Sequence, residues 1–178
     1  MATILVALDY SDCAANVLSE AVRFARAFRA RLLLLHACEA PRGLPLNALV
    51  QPDATRPSRP VLDVLRDDAD AHLAPMLTRV RDAGVRCDLR VAFGRPSEVI
   101  LDVAAGERAA MILMGTHGRA GAALATFGSV AEEVIRQADV PVVTVRTRHH
   151  AGCAAKSCAT CEQGRSPLEA RLDAERTR

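Results

Sequence analysis

The chain predicts a doubly wound α/β fold, an open parallel sheet with helices on both faces, and three observations carry that reading. Short apolar runs alternate with segments of helical periodicity in the order βαβαβαβαβ. Half of the 178 residues are apolar, yet aromatics make up only 3 % and tryptophan is absent. The core is therefore aliphatic, which suits strands buried on both faces. Finally, a glycine-rich stretch at 115–129, GTHGRAGAALATFGS, lies between a buried strand and a helix start.

Each element follows from its residues. Residues 3–9, TILVALD, form a short apolar run that fits a buried strand. Ser11 or Asp12 can cap the helix that follows, where Ala14, Val17, Leu18, Ala21, Val22, Ala25 and Phe28 recur at helical spacing. Residues 31–38, RLLLLHAC, form the second buried strand, so the chain opens with a right-handed βαβ unit. His36 within that strand is a core histidine with its polar atoms satisfied rather than a ligand. Residues 39–60 hold prolines at 41, 45, 52, 57 and 60 and read as a long exposed loop.

A second helix is expected over 61–83, with Leu62, Leu65, Leu73, Met76, Leu77 and Val80 on its apolar side and Gly84 as its stop. Pro75 predicts a kink or break near Leu73 and Ala74. Residues 85–92 alternate apolar and polar, as a half-exposed edge strand does. Gly94-Arg-Pro-Ser turns into a third helix over 98–108, and residues 111–114 form the fourth strand. A fourth helix is expected over about 129–138, and residues 140–146 form the fifth strand. The domain spans residues 1–147. Residues 148–178 are a loosely attached tail with a short helix signal from Ser166-Pro-Leu-Glu169.

A net charge of +2 offers no broad electrostatic attraction to nucleic acid or anionic membrane. No apolar run approaches the length of a membrane span, and no basic segment with a cleavage site opens the chain. A cytoplasmic location is expected, where thiols stay reduced. Cys13, Cys38 and Cys87 read as small core residues.

Strand, glycine turn and helix start are the parts of a phosphate site. Glycine lets the backbone approach an anion, and the free N–H groups of the first helical turn donate to it. No lysine stands where a P-loop requires one, and the turn after the first strand, Asp9-Tyr10-Ser11-Asp12, lacks the glycines of a dinucleotide fingerprint. The spacing Gly115-x2-Gly118-x9-Gly128-Ser129 resembles the G-2x-G-9x-G-[ST] nucleotide motif of the universal stress protein family. ILVALDYS at 4–11, LLLLHAC at 32–38, ILMGTHGRAG at 112–121 and GSVAEEVIRQADVPVVTVR at 128–146 resemble that family in order and spacing.

The resemblance implies an adenine nucleotide alpha-hydrolase-like sheet with strand order 3-2-1-4-5 and ATP, with or without magnesium, as ligand. It places Asp9 at the ribose or base, Ala7 and Ala37 beside adenine, and Met114 packed on it. Gly115, Thr116, His117, Gly118, Arg119, Ala120 and Gly121 wrap the ribose and phosphates. Gly128, Ser129, Val130 and Ala131 hold the phosphate tail, and Arg119 is the nearest cation to it. It also implies a homodimer through the last strand, where Val140, Val142, Val143 and Val145 form an apolar edge. Ala37 stands where the family often has valine, and the Cys-containing tail has no counterpart in the family pattern.

Hydrolysis requires a positioned water, a metal site and charge stabilisation. Asp9 is the only obvious carboxylate near the loop, so a nucleotide sensor that regulates or protects under stress is read before an enzyme. A slow ATPase or nucleotide-dependent transferase is the alternative, and ATP against AMP stays open. In the tail, Cys153, Cys158 and Cys161 with His149 and His150 carry ligand chemistry. Zinc, an iron–sulfur centre, redox-active thiols and no specific role remain open for them.

Overall fold

The computed structural model describes residues 1–9, 14–39, 43–52, 55, 57–116 and 128–145. The elements follow the chain as β1 (Thr3–Ala7), α1 (Ala14–Phe28), β2 (Arg31–Cys38), β3 (Leu49–Val50), β4 (Arg59–Pro60) and α2 (Val61–Asp82). They continue as β5 (Cys87–Phe93), α3 (Pro96–Gly106), β6 (Met111–Gly115), α4 (Ser129–Gln137) and β7 (Val142–Val145). The main sheet has the order β5-β2-β1-β6-β7, with every neighbouring pair parallel. Counted within that sheet alone, this is the expected 3-2-1-4-5.

Strand alternation divides the core in two. Ile4, Val6, Leu32, Leu34 and Leu113 point to one face, where Val17, Leu18 and Ala21 of α1 and Ala69, Leu73 and Val80 of α2 cover them. Leu5, Leu33, Leu35, Ile112 and Met114 point to the other, beneath Ile100 and Ala104 of α3 and Ala131 and Val134 of α4. Both faces are buried, which is why these strands read as unbroken apolar runs instead of alternating ones.

Helix ends are tied by backbone bonds. After α1 the amide of Ala30 reaches Ala25 O at 2.9 Å, and after α3 the amide of Ala109 reaches Ala104 O at 2.9 Å. Both closures put an arginine in the left-handed region, Arg29 and Arg108, each at φ 49°. Gly84 fills the same role after α2 at φ 74°, as its position in the sequence predicts. At the amino edge of the sheet, Arg31 bridges Asp88 at 2.9 Å and Glu107 at 3.1 Å, and Glu107 also pairs with Arg90.

Two expectations need correction. Helix α2 runs unbroken from Val61 to Asp82 through Pro75, so of the expected kink or break near Leu73 and Ala74 the break does not occur. Val61, Leu65, Ala69, Leu73 and Val80 are buried on both sides of the proline, and that burial outweighs one missing amide donor. The segment 39–60 is not simply an exposed loop. β3 and β4 form an antiparallel pair in it, and Leu44, Leu46, Ala48 and Val50 pack on Val61 and Leu65 in a small satellite core shared with Phe93.

Candidate functional site

Strand order reverses between β1 and β6: the chain leaves β1 toward β2 on one side and later returns to β6 on the other. In open α/β sheets the crevice beyond the carboxyl ends of such strands takes the ligand. Ala7 pairs with Leu35 on β2 and with Met114 on β6. The pairing continues past β1, since Leu8 N–H donates to Leu35 O at 2.9 Å. Ala37, Asp9 and Thr116 each follow this matched set, Leu35, Ala7 and Met114, by two residues, toward the carboxyl end of the sheet.

The floor of this crevice is apolar. Met114 is buried and shares a cluster with Ala7, Val130 and Ala131. Asp9 is half-buried at the end of the central strand. Beside it His36 is buried, with Nδ1 2.9 Å from Leu8 O. A carbonyl only accepts, so Nδ1 carries the proton and the ring is tied to the turn that ends β1. This is the core role expected of His36.

Thr116 holds both ends of the glycine-rich loop. Its N–H donates to Val145 O at 3.0 Å, and its carbonyl accepts from Gly128 N–H at 2.7 Å. The loop thus leaves from the end of β6 and returns beside it. Gly128 is the N-cap of α4, with extended φ −73° and ψ 156°, and its carbonyl accepts the first helical bond from Glu132 at 3.0 Å. By helix geometry, the N–H groups of Ser129, Val130 and Ala131 have no acceptor within the helix, and glycine has no side chain to cap them. Those amides and the positive end of the helix dipole suit an anion.

His117, Gly118, Arg119, Ala120 and Gly121 lie outside the described residues, as do His149, His150, Cys153, Cys158 and Cys161. Among the described residues, no group of three or more His, Cys, Asp or Glu side chains could hold a metal ion, and no helix is long and apolar enough to cross a membrane. Cys38 and Cys87 are buried free thiols, as expected, and Cys13 lies outside the described residues. Burial pushes the Cys87 thiol up to about 11, with Arg81 opposing part of that rise.

One group near the site has no forecast in the glycine motif. Glu133 on α4 receives Arg95 Nη2 and Ser97 Oγ on the same oxygen, Oε2, each at 2.9 Å. Arg95 is the N-cap residue of α3, so this contact ties the start of α3 to the middle of α4. The turn Gly94-Arg-Pro-Ser marks the helix start in the sequence, but its partner on α4 lies 36 residues or more away and has no local signal.

Comparison with known proteins fits this architecture. A universal stress protein of Thermus aquaticus is 36 % identical over 144 residues, covering 81 % of this chain and 98 % of that one. A solved member of the universal stress protein family from Burkholderia pseudomallei has a TM-score of 0.60 at 26 % identity, covering 81 % of this chain and 95 % of that one. Universal stress proteins have also been solved with nucleotides. One is from Archaeoglobus fulgidus in complex with dAMP, at TM-score 0.58, 24 % identity and coverage of 81 % and 97 %. Another is in complex with cAMP, at TM-score 0.56, 20 % identity and coverage of 83 % and 98 %. The model of the universal stress protein family matches residues 1–146, and with a sheet of this order and relatives of this similarity the chain belongs to that family.

Proposed function

We propose that this chain binds an adenine nucleotide, ATP or AMP, in the crevice between β1 and β6, and works as a nucleotide-dependent regulator or protector in the cytoplasmic stress response. The observation that carries the reading is the meeting of three features at the topological switch point. These are the Asp9 carboxylate, the apolar floor at Ala7 and Met114, and the uncapped first turn of α4 pinned there by Thr116. A carboxylate suits ribose hydroxyls or a base amino group, an apolar floor suits a purine face, and the amides of Ser129, Val130 and Ala131 suit phosphate. The dAMP and cAMP complexes of related folds support the same ligand class.

In this reading, Ala7, Asp9, Ala37 and Met114 hold the adenosine. Gly115, Thr116 and the loop from His117 to Gly121 wrap the sugar and phosphates, and Gly128 to Ala131 hold the phosphate end. Residues 1–147 form the nucleotide-binding domain, residues 148–178 are an appendage, and two copies pair through β7. Titration calorimetry with ATP and AMP is the test. Asp9→Ala should weaken both by roughly tenfold or more, because it removes a carboxylate acceptor. Ser129→Ala and Gly118→Ala should weaken ATP more than adenosine. Incubation with magnesium and ATP should leave the nucleotide intact. Release of ADP that is lost in Ser129→Ala and Gly118→Ala would favour a slow ATPase instead, and absence of binding by the wild-type chain would overturn the reading.

A further inference from the structure

We propose that Arg95 and Ser97 are positioning residues for the phosphate end of the nucleotide, acting through Glu133; this rests on the nucleotide reading above. Glu133 lies one turn into α4, the helix whose first amides face the anion. Its side chain is only 19 % exposed, so its charge is poorly screened by solvent. A carboxylate there opposes a phosphate at the helix start, both by direct repulsion and by cancelling the dipole that attracts it. Its Oε2 meets the Arg95 guanidinium and the Ser97 hydroxyl together, each at 2.9 Å. Among the described residues, Oε1 faces only Gln137 on its own helix, at 3.4 Å. Arg95 also reaches Glu98 at 3.4 Å through its other terminal nitrogen, so one guanidinium serves two carboxylates, with Glu133 at the shorter distance.

The second consequence is geometric. Ser97 is 1 % exposed and sits in the first turn of α3, so its hydroxyl is a fixed donor. The α3 backbone is itself held tightly there. Gly94 stands at φ 145° with its amide bonded to Cys38 O at 3.0 Å, and a Cβ on Gly94 would lie 3.1 Å from Val99 Cγ2. The contact from Ser97 to Glu133 therefore sets the rotation of α4 against a rigid neighbour, and through it the direction in which the amides of Ser129 to Ala131 point. Arg95 supplies the compensating charge and Ser97 the alignment.

The test compares ATP with adenosine by calorimetry for the wild-type chain, Arg95→Ala, Arg95→Lys, Ser97→Ala and Glu133→Gln. Arg95 is 56 % exposed on its side chain, so Arg95→Ala should fold. It should weaken ATP by about five- to tenfold and adenosine by less than twofold, with Arg95→Lys restoring part of the loss because it restores the charge. Glu133→Gln removes the charge that Arg95 offsets, so in its background Arg95→Ala should have much less effect on ATP. Equal weakening of ATP and adenosine in Arg95→Ala, or ATP affinity unchanged in both Arg95→Ala and Ser97→Ala, would overturn the positioning role while leaving the nucleotide site intact. A wild-type chain that binds neither ligand would overturn the nucleotide reading and this inference with it.

Discussion

Thr116 and Gly128 show how single residues shape the site through their backbones. Thr116 spends its amide on Val145 and its carbonyl on Gly128, so the loop between them must begin and end at one point of the sheet. Gly128 then starts α4 with no side chain over its first turn. Both residues could be named from the sequence, but only Gly128 had a visible reason. Cys87 is the residue whose environment gives a pH prediction. Burial raises its thiol to about 11, whereas in an unfolded chain a cysteine ionises near about 8.5. Between those values the folded chain keeps a proton that the unfolded chain loses. Stability is therefore full below the lower value and falls as pH rises toward the upper one. Urea unfolding of the wild-type chain should lose stability over that window more steeply than unfolding of Cys87→Ala, and equal slopes would contradict it.

At the scale of elements, periodicity served the helices and strands well and failed where packing overrides it. Helix α2 passes through Pro75 because buried residues on both sides hold it to the sheet. Pro75 itself is exposed and deprives the carbonyl of Ala71 of its partner. Pro75→Ala should thus stabilise the domain, by about 1–3 kcal/mol, as read from denaturant unfolding. A neutral or destabilising result would mean that the proline sets a bend that the packing of Leu73 and Met76 needs. The short ribbon of β3 and β4 escaped notice for a different reason. Five prolines in 22 residues signal a loop, while its ordering comes from Leu44, Leu46 and Val50 meeting Val61 and Leu65 across the chain. Conversely, α3 begins at Pro96, two residues before the expected start, as a proline in the first turn favours.

For the whole molecule, the sheet has two unlike edges. β5 exposes Asp88 and Arg90 between buried or half-buried neighbours and holds both in ion pairs, which discourages pairing with another sheet. β7 carries Val142, Val143, Thr144 and Val145, all half-buried in a single chain. The carbonyls of Pro141 and Val145 turn inward to β6, bonding Ile112 and Thr116. By strand alternation, the backbone groups of Val142 and Thr144 face out, available to a second copy. Thr144→Pro should remove one outward donor without touching the inward bonds. In sedimentation the proposed dimer should shift toward a monomer of 19.0 kDa, with the proposed ATP binding retained. A wild-type chain that sediments as a monomer would refute the pairing.

The sequence by itself determined the α/β class, the strand order through its family resemblance, and the candidates Asp9, Gly115, Gly128 and Ser129. Those signals are local: an apolar run, a glycine spacing or a helix start is complete within a few residues. The tertiary structure alone decided which groups meet. It paired Ala7 with Leu35 and Met114 across three strands, bonded Thr116 to both Gly128 and Val145, and brought Arg95 and Ser97 to Glu133. Those contacts join residues 12 to 107 positions apart, and a chain reveals such pairs only when burial of both sheet faces fixes the register that brings them together.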